Sequence, residues 1–142
     1  MTAGSARPSD EAYVRAGQQA AVALRGYCSV VVVSDDSLAG ALVAIGVGRA
    51  EAPHRRVVIG DMIGEVAPIQ ALVTEDDSHG IYDCFTFGTS LDKVIRAVGA
   101  DEKLNVLPSG TESPAIARIA GDRRWRMIAA DFAATDALLL LV

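Results

Sequence analysis

Short, unbroken apolar runs rich in β-branched residues or leucine alternate along this chain with longer stretches of mixed apolar and polar positions. The first run, Cys28-Ser-Val-Val-Val-Val-Ser34, lacks polar alternation, which predicts a strand buried on both faces. Arg56-Val-Val-Ile-Gly60 and Ala137-Leu-Leu-Leu-Leu-Val142 repeat the pattern and predict two more buried strands, and Lys103-Leu-Asn-Val-Leu107 predicts another strand. Helical stretches lie between them. Ser9 suits an N-cap, with Asp10 and Glu11 in the first turn of a helix that reaches about Leu24 and stops at Gly26. Asp35-Asp36-Ser37 reads as a turn, with Ser37 capping a helix over 38–49. Pro68 opens a short helix through Val73, and 74–80 is a polar loop. Gly88-Thr-Ser90 leads into a helix over 91–98 that Gly99 closes. Pro108-Ser-Gly110 ends the third strand, and helical residues follow over 114–120 and 122–134.

Strands alternating with helices imply an α/β fold, a parallel sheet of four or five strands covered by helices on both faces. Residues 1–8 read as a flexible tail and 9–142 as one domain. Ligands of such folds sit beyond the carboxyl ends of the strands, so the loops to inspect are 34–40, 60–66 and 107–114.

Composition narrows the chemistry. The net charge is −5, and the basic clusters Arg55-Arg56 and Arg123-Arg124-x-Arg126 are short, so they read as solvated edges. Neither nucleic acid nor an anionic membrane is the expected partner. The longest apolar run, at 137–142, is too short to span a bilayer, and the N-terminus does not read as a secretory signal, so the expected location is the cytoplasm. Cys28 and Cys84 form neither a metal spacing nor a disulfide framework, and Cys28 reads as a small core residue. His54 and His79 read as surface residues, and Ser109 and Thr111 as cap or ligand contacts at a strand end. No cofactor is expected.

The order of the pieces resembles the cytoplasmic bacterial tyrosine kinases of capsule and exopolysaccharide export and, more broadly, the MinD/ParA-type ATPases. Glu11-Ala-Tyr-Val-Arg15 stands where these kinases carry a Glu/Arg helix, and Val30 to Ser34 where a strand delivers the phosphate loop. Val57-Val-Ile59 precedes the position of an Asp-x-Asp motif. Gly80-Ile-Tyr-Asp83 through Leu91-Asp-Lys-Val-Ile95 resembles the family's next connection. Leu104-Asn-Val-Leu-Pro-Ser-Gly110, with Pro114 after it, is similar to the strand and turn that follow. Asp136-Ala-Leu-Leu-Leu-Leu141 is similar to the strand before the second acidic motif. The resemblance covers 9–142 and implies a three-layer phosphate-loop NTPase-like sandwich.

The departures from that pattern are chemical. A phosphate loop needs glycines that let main-chain N–H groups converge, a Lys for the β/γ-phosphates and a Ser or Thr for magnesium. Aligning Gly40 with the last glycine puts Asp35 at the first glycine, Ala41 at the Lys and Leu42 at the Ser/Thr. Asp36 adds a second negative charge, and Asp61 is the one carboxylate left after the second strand. The two lysines, Lys93 and Lys103, lie elsewhere in the sequence. Asp35, Asp36 and Asp61 also invite comparison with an acidic divalent-ion pocket, against which stands simple capping and solvated turn charge.

The expectation is therefore a non-enzymatic pseudo-ATPase or pseudokinase with a degenerate phosphate loop. It would serve as a protein-binding subunit or regulator of an exopolysaccharide- or cellulose-type synthesis and secretion machine. Its partners would be an active ATPase, a membrane synthase or further copies of itself. The tentative interface residues are Glu11, Tyr13, Arg15 and Gln18 on the first helix, together with Trp125. Against this, Glu11 and Arg15 at four-residue spacing also suit an intrahelical pair, and Trp125 a packing residue. The alternative function is a ligand sensor that binds a nucleotide or divalent metal through a rearranged strand-end site. A chain ending on a buried strand also suits a piece of a longer protein.

Overall fold

The computed structural model describes residues 9–64, 66–73, 79–99 and 103–142. Helix α1 (Asp10–Ala20) is capped by the Ser9 hydroxyl, which accepts from the Ala12 N–H at 3.2 Å, and a 3₁₀ turn (Ala21–Leu24) extends it. Then come β1 (Ser29–Val31), α2 (Ser37–Glu51), β2 (Val57–Gly60), α3 (Ala67–Gln70), α4 (Ile81–Phe87) and α5 (Leu91–Val94). The chain continues through β3 (Arg96–Ala97), β4 (Leu104–Leu107), α6 (Ile116–Ile119), α7 (Arg124–Ala134) and β5 (Leu138–Leu141). The proposed tail at 1–8 and most of the proposed loop at 74–80 lie outside the described residues.

The strands form one sheet in the order β1-β5-β2-β4-β3. All neighbours are parallel except β3, which runs antiparallel to β4. The α/β fold expected from the sequence is therefore present; the sheet has five strands, within the four or five expected, and is parallel except for β3. Central strands β2, β4 and β5 are buried on both faces because Val, Ile and Leu fill nearly every pleat; the exceptions are Gly60 at the end of β2 and buried Asn105 in β4, whose side-chain amide donates to the Val57 carbonyl at 3.4 Å. Val57, Ile59, Leu138 and Leu140 pack with Ala41, Ala44 and Ile45 of α2. Val58 and Leu139 pack on the opposite face with Ile81, Phe85 and Phe132. Helix α2 is buried from Ala39 to Gly48, except for half-buried Val43, because it lies between the sheet and α1, which explains its Ala- and Gly-rich composition.

Five expectations change. The run 28–34 is not a strand buried on both faces: β1 spans three residues at the edge of the sheet, Val31 is 64% and Val33 88% exposed, and Cys28 is only half-buried. Composition marked it as an interior strand, but with β5 as its single neighbour it has one open side. The helix expected over 91–98 stops at Val94. Ile95 turns extended, with ψ 133°, and the chain pairs with the free side of β4 as β3. Ser37 is the first helical residue of α2, and Asp36 is its cap. Helix α4 takes a segment read as connection; Gly80 precedes it, and Gly88 closes it in the left-handed conformation at φ 71°. Helix α6 also covers only part of 114–120.

Candidate functional site

The turn between β1 and α2 and the end of β2 meet at the carboxyl end of the sheet. Here Ser34, Ser37, Gly40, Met62 and Ile63 share the lining of one groove. Asp36 sits at the mouth of α2, and its Oδ1 accepts from the N–H groups of Leu38 at 3.1 Å and Ala39 at 3.4 Å. A helix begins with N–H groups that lack partners within it, and here a carboxylate of the chain itself holds two of them. The Asp36 N–H in turn donates to the Ser34 hydroxyl at 3.1 Å. Asp35 is exposed on the same turn.

Gly40, Ala41 and Leu42 are not loop residues. They lie inside the first turns of α2 and are buried, Ala41 completely, within the core that includes Val142. A side chain at position 41 points into the core rather than toward the groove. Gly40 lies close to the turn: a Cβ there would stand 3.1 Å from Ser34 Cβ.

Asp61 is buried at the end of β2 and is fully engaged by its own loop. Its Oδ1 accepts from the Ile63 N–H at 2.9 Å and the Gly64 N–H at 2.8 Å, and its Oδ2 accepts from the Val66 N–H at 3.1 Å. Met62 and Ile63, which follow Asp61, share the groove with Ser34 and Ser37, but the Asp61 carboxylate itself is taken up by the N–H groups of Ile63, Gly64 and Val66. Among the described residues no group of three His, Cys, Asp or Glu side chains converges as a metal site.

The groove itself is apolar, with a volume of about 510 Å³. Val31 and Val33 of the sheet edge, Leu139 and Leu141 of β5, and Ile116 and Trp125 from α6 and α7 line it. No motif in the sequence marked this surface, because its residues are ordinary apolar positions that only the edge placement of β1 leaves uncovered.

The tentative interface residues fall in two separate places. On α1, Glu11 and Arg15 are exposed and pair with each other at 3.6 Å, Gln18 is exposed and Tyr13 is half-buried. Trp125 is half-buried: its indole N–H donates to the Ile119 carbonyl at 2.8 Å, and its ring lies 4.7 Å from that of Phe85. It is therefore a packing residue as well as part of the groove wall.

A residue the motifs did not single out, Asp83, ties α4 to the turn after β4. Its Oδ1 accepts from the Thr111 hydroxyl at 2.7 Å, and its Oδ2 accepts from the N–H groups of Gly80 at 2.8 Å and Thr111 at 3.1 Å. Burial pushes the Asp83 pKa up, but these hydrogen bonds outweigh it and hold the carboxyl below its ordinary range. The signal in the sequence was an acid in the first turn of an unrecognised helix. Next to it, burial, reinforced by the negative charge of Asp83, pushes the Cys84 thiol up to about 11.

Among the described residues no helix is long and apolar enough to cross a membrane. No protein-family model matches the chain, and no curated protein does. Solved structures do. The VpsO kinase domain superposes with a TM-score of 0.74 at 11% identity, over 93% of this chain and 69% of that domain. The kinase domain of the Escherichia coli tyrosine kinase ETK superposes with a TM-score of 0.67 at 16% identity, over 96% of this chain and 55% of that one. The chain thus spans about two thirds of the first domain and little more than half of the second. At these identities the likeness is one of fold: the chain has the α/β architecture of the bacterial tyrosine kinase domains.

Proposed function

We propose that this domain is a protein-binding module of the bacterial tyrosine kinase fold that neither hydrolyses nucleotide nor transfers phosphate. In this reading it is a regulator or non-catalytic subunit of an envelope machine that makes and secretes a polysaccharide of exopolysaccharide or cellulose type. Its partners are proteins: an active ATPase, a membrane synthase or further copies of the chain.

The observation that carries the reading is the Asp36 carboxylate on the first N–H groups of α2. In a nucleotide-binding relative those groups face phosphate, and an anion already seated there competes with it. Each like-charge contact at ~4 Å costs about 1 kcal/mol in water and more in a dry cleft. A lysine is also missing where it would be needed: the matching position is Ala41, completely buried. Asp61, the carboxylate best placed for magnesium, spends three acceptor sites on its own backbone. The polysaccharide setting rests on the fold likeness and the order of sequence motifs.

Calorimetric titration with Mg-ATP and Mg-GTP, with a parallel assay for released phosphate, tests this reading. No binding heat and no phosphate are expected. Micromolar nucleotide binding would overturn it and put a nucleotide sensor in its place.

A further inference from the structure

Among the described residues, the β1 edge is where an apolar segment, Val30 to Val33, meets main chain on the open side of the sheet. Cys28 and Val32 turn toward β5: the Leu139 N–H donates to the Cys28 carbonyl at 2.9 Å, and the Val32 N–H donates to the Leu141 carbonyl at 2.8 Å. Main-chain groups alternate sides along a strand, so the N–H and C=O groups of Ser29, Val31 and Val33 point away from the sheet. These residues stand in register with the β5 face that carries Leu139 and Leu141, beside the apolar groove. A sheet edge of this kind is a template for another extended strand.

We infer that the β1 edge seats a second copy of this chain, paired antiparallel about Val31 so that the two sheets become one. A two-fold axis there sets Val31 opposite Val31 and Ser29 opposite Val33, and each opposed pair exchanges two N–H···O bonds. Both Val33 side chains, 88% exposed in the single chain, then lie on the groove side beside the other copy's Ser29.

Charge selects this orientation. The carboxyl end of β1 leads into the acidic pair Asp35 and Asp36, and its amino end follows Arg25 and the exposed Tyr27. The Arg25 side chain reaches buried Glu51 with its Nε and is still 53% exposed. Antiparallel pairing brings the acidic end of each copy toward the Arg25–Tyr27 end of the other, whereas parallel pairing sets acid beside acid. The interface extends the protein-binding reading above, yet the two fail separately. A monomer that ignores nucleotide overturns the interface alone, and a dimer that binds Mg-ATP overturns the reading alone.

The test is the mass of the full chain in solution by light scattering over a dilution series. The mass of two chains, falling toward one on dilution, is expected. Val31→Pro deletes an outward N–H in each copy without touching the β5 ladder, and proline is tolerated on such an edge. It should raise the midpoint concentration of dissociation at least about tenfold. Val33→Lys, at a side chain open to solvent, should weaken the dimer in the same direction and carries the test if the proline variant is unfolded by circular dichroism. In the wild-type dimer the amides of Ser29, Val31 and Val33 should gain protection from hydrogen exchange as concentration rises. A single-chain mass at every concentration overturns the proposal, as does a dimer whose midpoint a folded edge variant leaves in place.

Discussion

Gly17 of α1 and Gly46 of α2 face one another across the helix pair with no room for a side chain on either. A Cβ on Gly17 would overlap the Val43 carbonyl oxygen, and one on Gly46 would overlap that of Val14. Both obstacles are backbone, which a rotamer change cannot move aside. Gly46→Ala must therefore push α1 off α2, and the expected cost is about 2 kcal/mol or more despite the better helix propensity of alanine. Gly26→Ala, with open space around the new methyl, is the control. Thermal melts should show a drop of several degrees for the first and little change for the second.

At the far end of α2, buried Glu51 holds two arginines. Its Oε2 accepts from Arg55 Nε at 3.1 Å and its Oε1 from Arg25 Nε at 3.2 Å, while Arg55 also donates to the carbonyls of Tyr27 and Leu24. The network fastens the connection between α1 and β1 to the end of α2. Glu51→Ala leaves the buried Arg55 charge without its partner, so a loss of about 3–5 kcal/mol is expected in urea denaturation. A milder loss is expected for Arg25→Ala, whose side chain is half in water.

Asp83 makes stability depend on pH in a definite direction. Its folded-state pKa lies below the unfolded value, so the folded chain keeps the carboxylate to lower pH. That contribution is fully present above the ordinary Asp value of about 3.9 and is lost as pH falls through the folded pKa. Asp83→Asn should lower stability by about 1–3 kcal/mol at neutral pH, because one amide cannot accept every bond the carboxylate does. The gap between wild type and variant should narrow below about pH 4 in melts taken across an acid series.

The two cysteines should separate cleanly under alkylation. Cys84 is buried, with its thiol pushed up to about 11, whereas Cys28 is half-buried beside the edge strand. Raised from its ordinary value to about 11, the Cys84 thiol carries about a hundredfold less thiolate at a given pH than it otherwise would. Iodoacetamide on the folded chain, followed by mass spectrometry, should modify Cys28 first and Cys84 only after denaturation. Equal rates would contradict the packing around α4.

The interior of the sheet was legible in the sequence because a strand buried on both faces calls for a largely apolar run, and β2, β4 and β5 each have one, with Asn105 the single polar residue among them. β1 has such a run too, and that is where the reading overreached. Edge position depends on how the whole chain is threaded, not on residues 28–34. Helix α4 left a signal that was passed over: Ile81, Cys84 and Phe85 stand at helical spacing and are all buried. β3 left almost none, since two residues make no pattern. At the candidate site the residue types, Asp35 and Asp36 in the turn and Ala41 in the helix, were visible in the sequence. The destination of the Asp61 carboxylate was not, because it depends on where the backbone N–H groups of Ile63, Gly64 and Val66 point.

The two rims of the sheet are unequal. Opposite β1, the sheet ends in β3, a reversed strand of only Arg96 and Ala97. So short a rim, with an arginine on it, offers an incoming chain too few rungs to hold. Growth by strand addition therefore has one direction and one step. Among the described residues, joining two β1 rims uses up the open edge that continues past its strand into an apolar segment, so the product is a closed pair of saturating mass rather than a filament that lengthens with concentration.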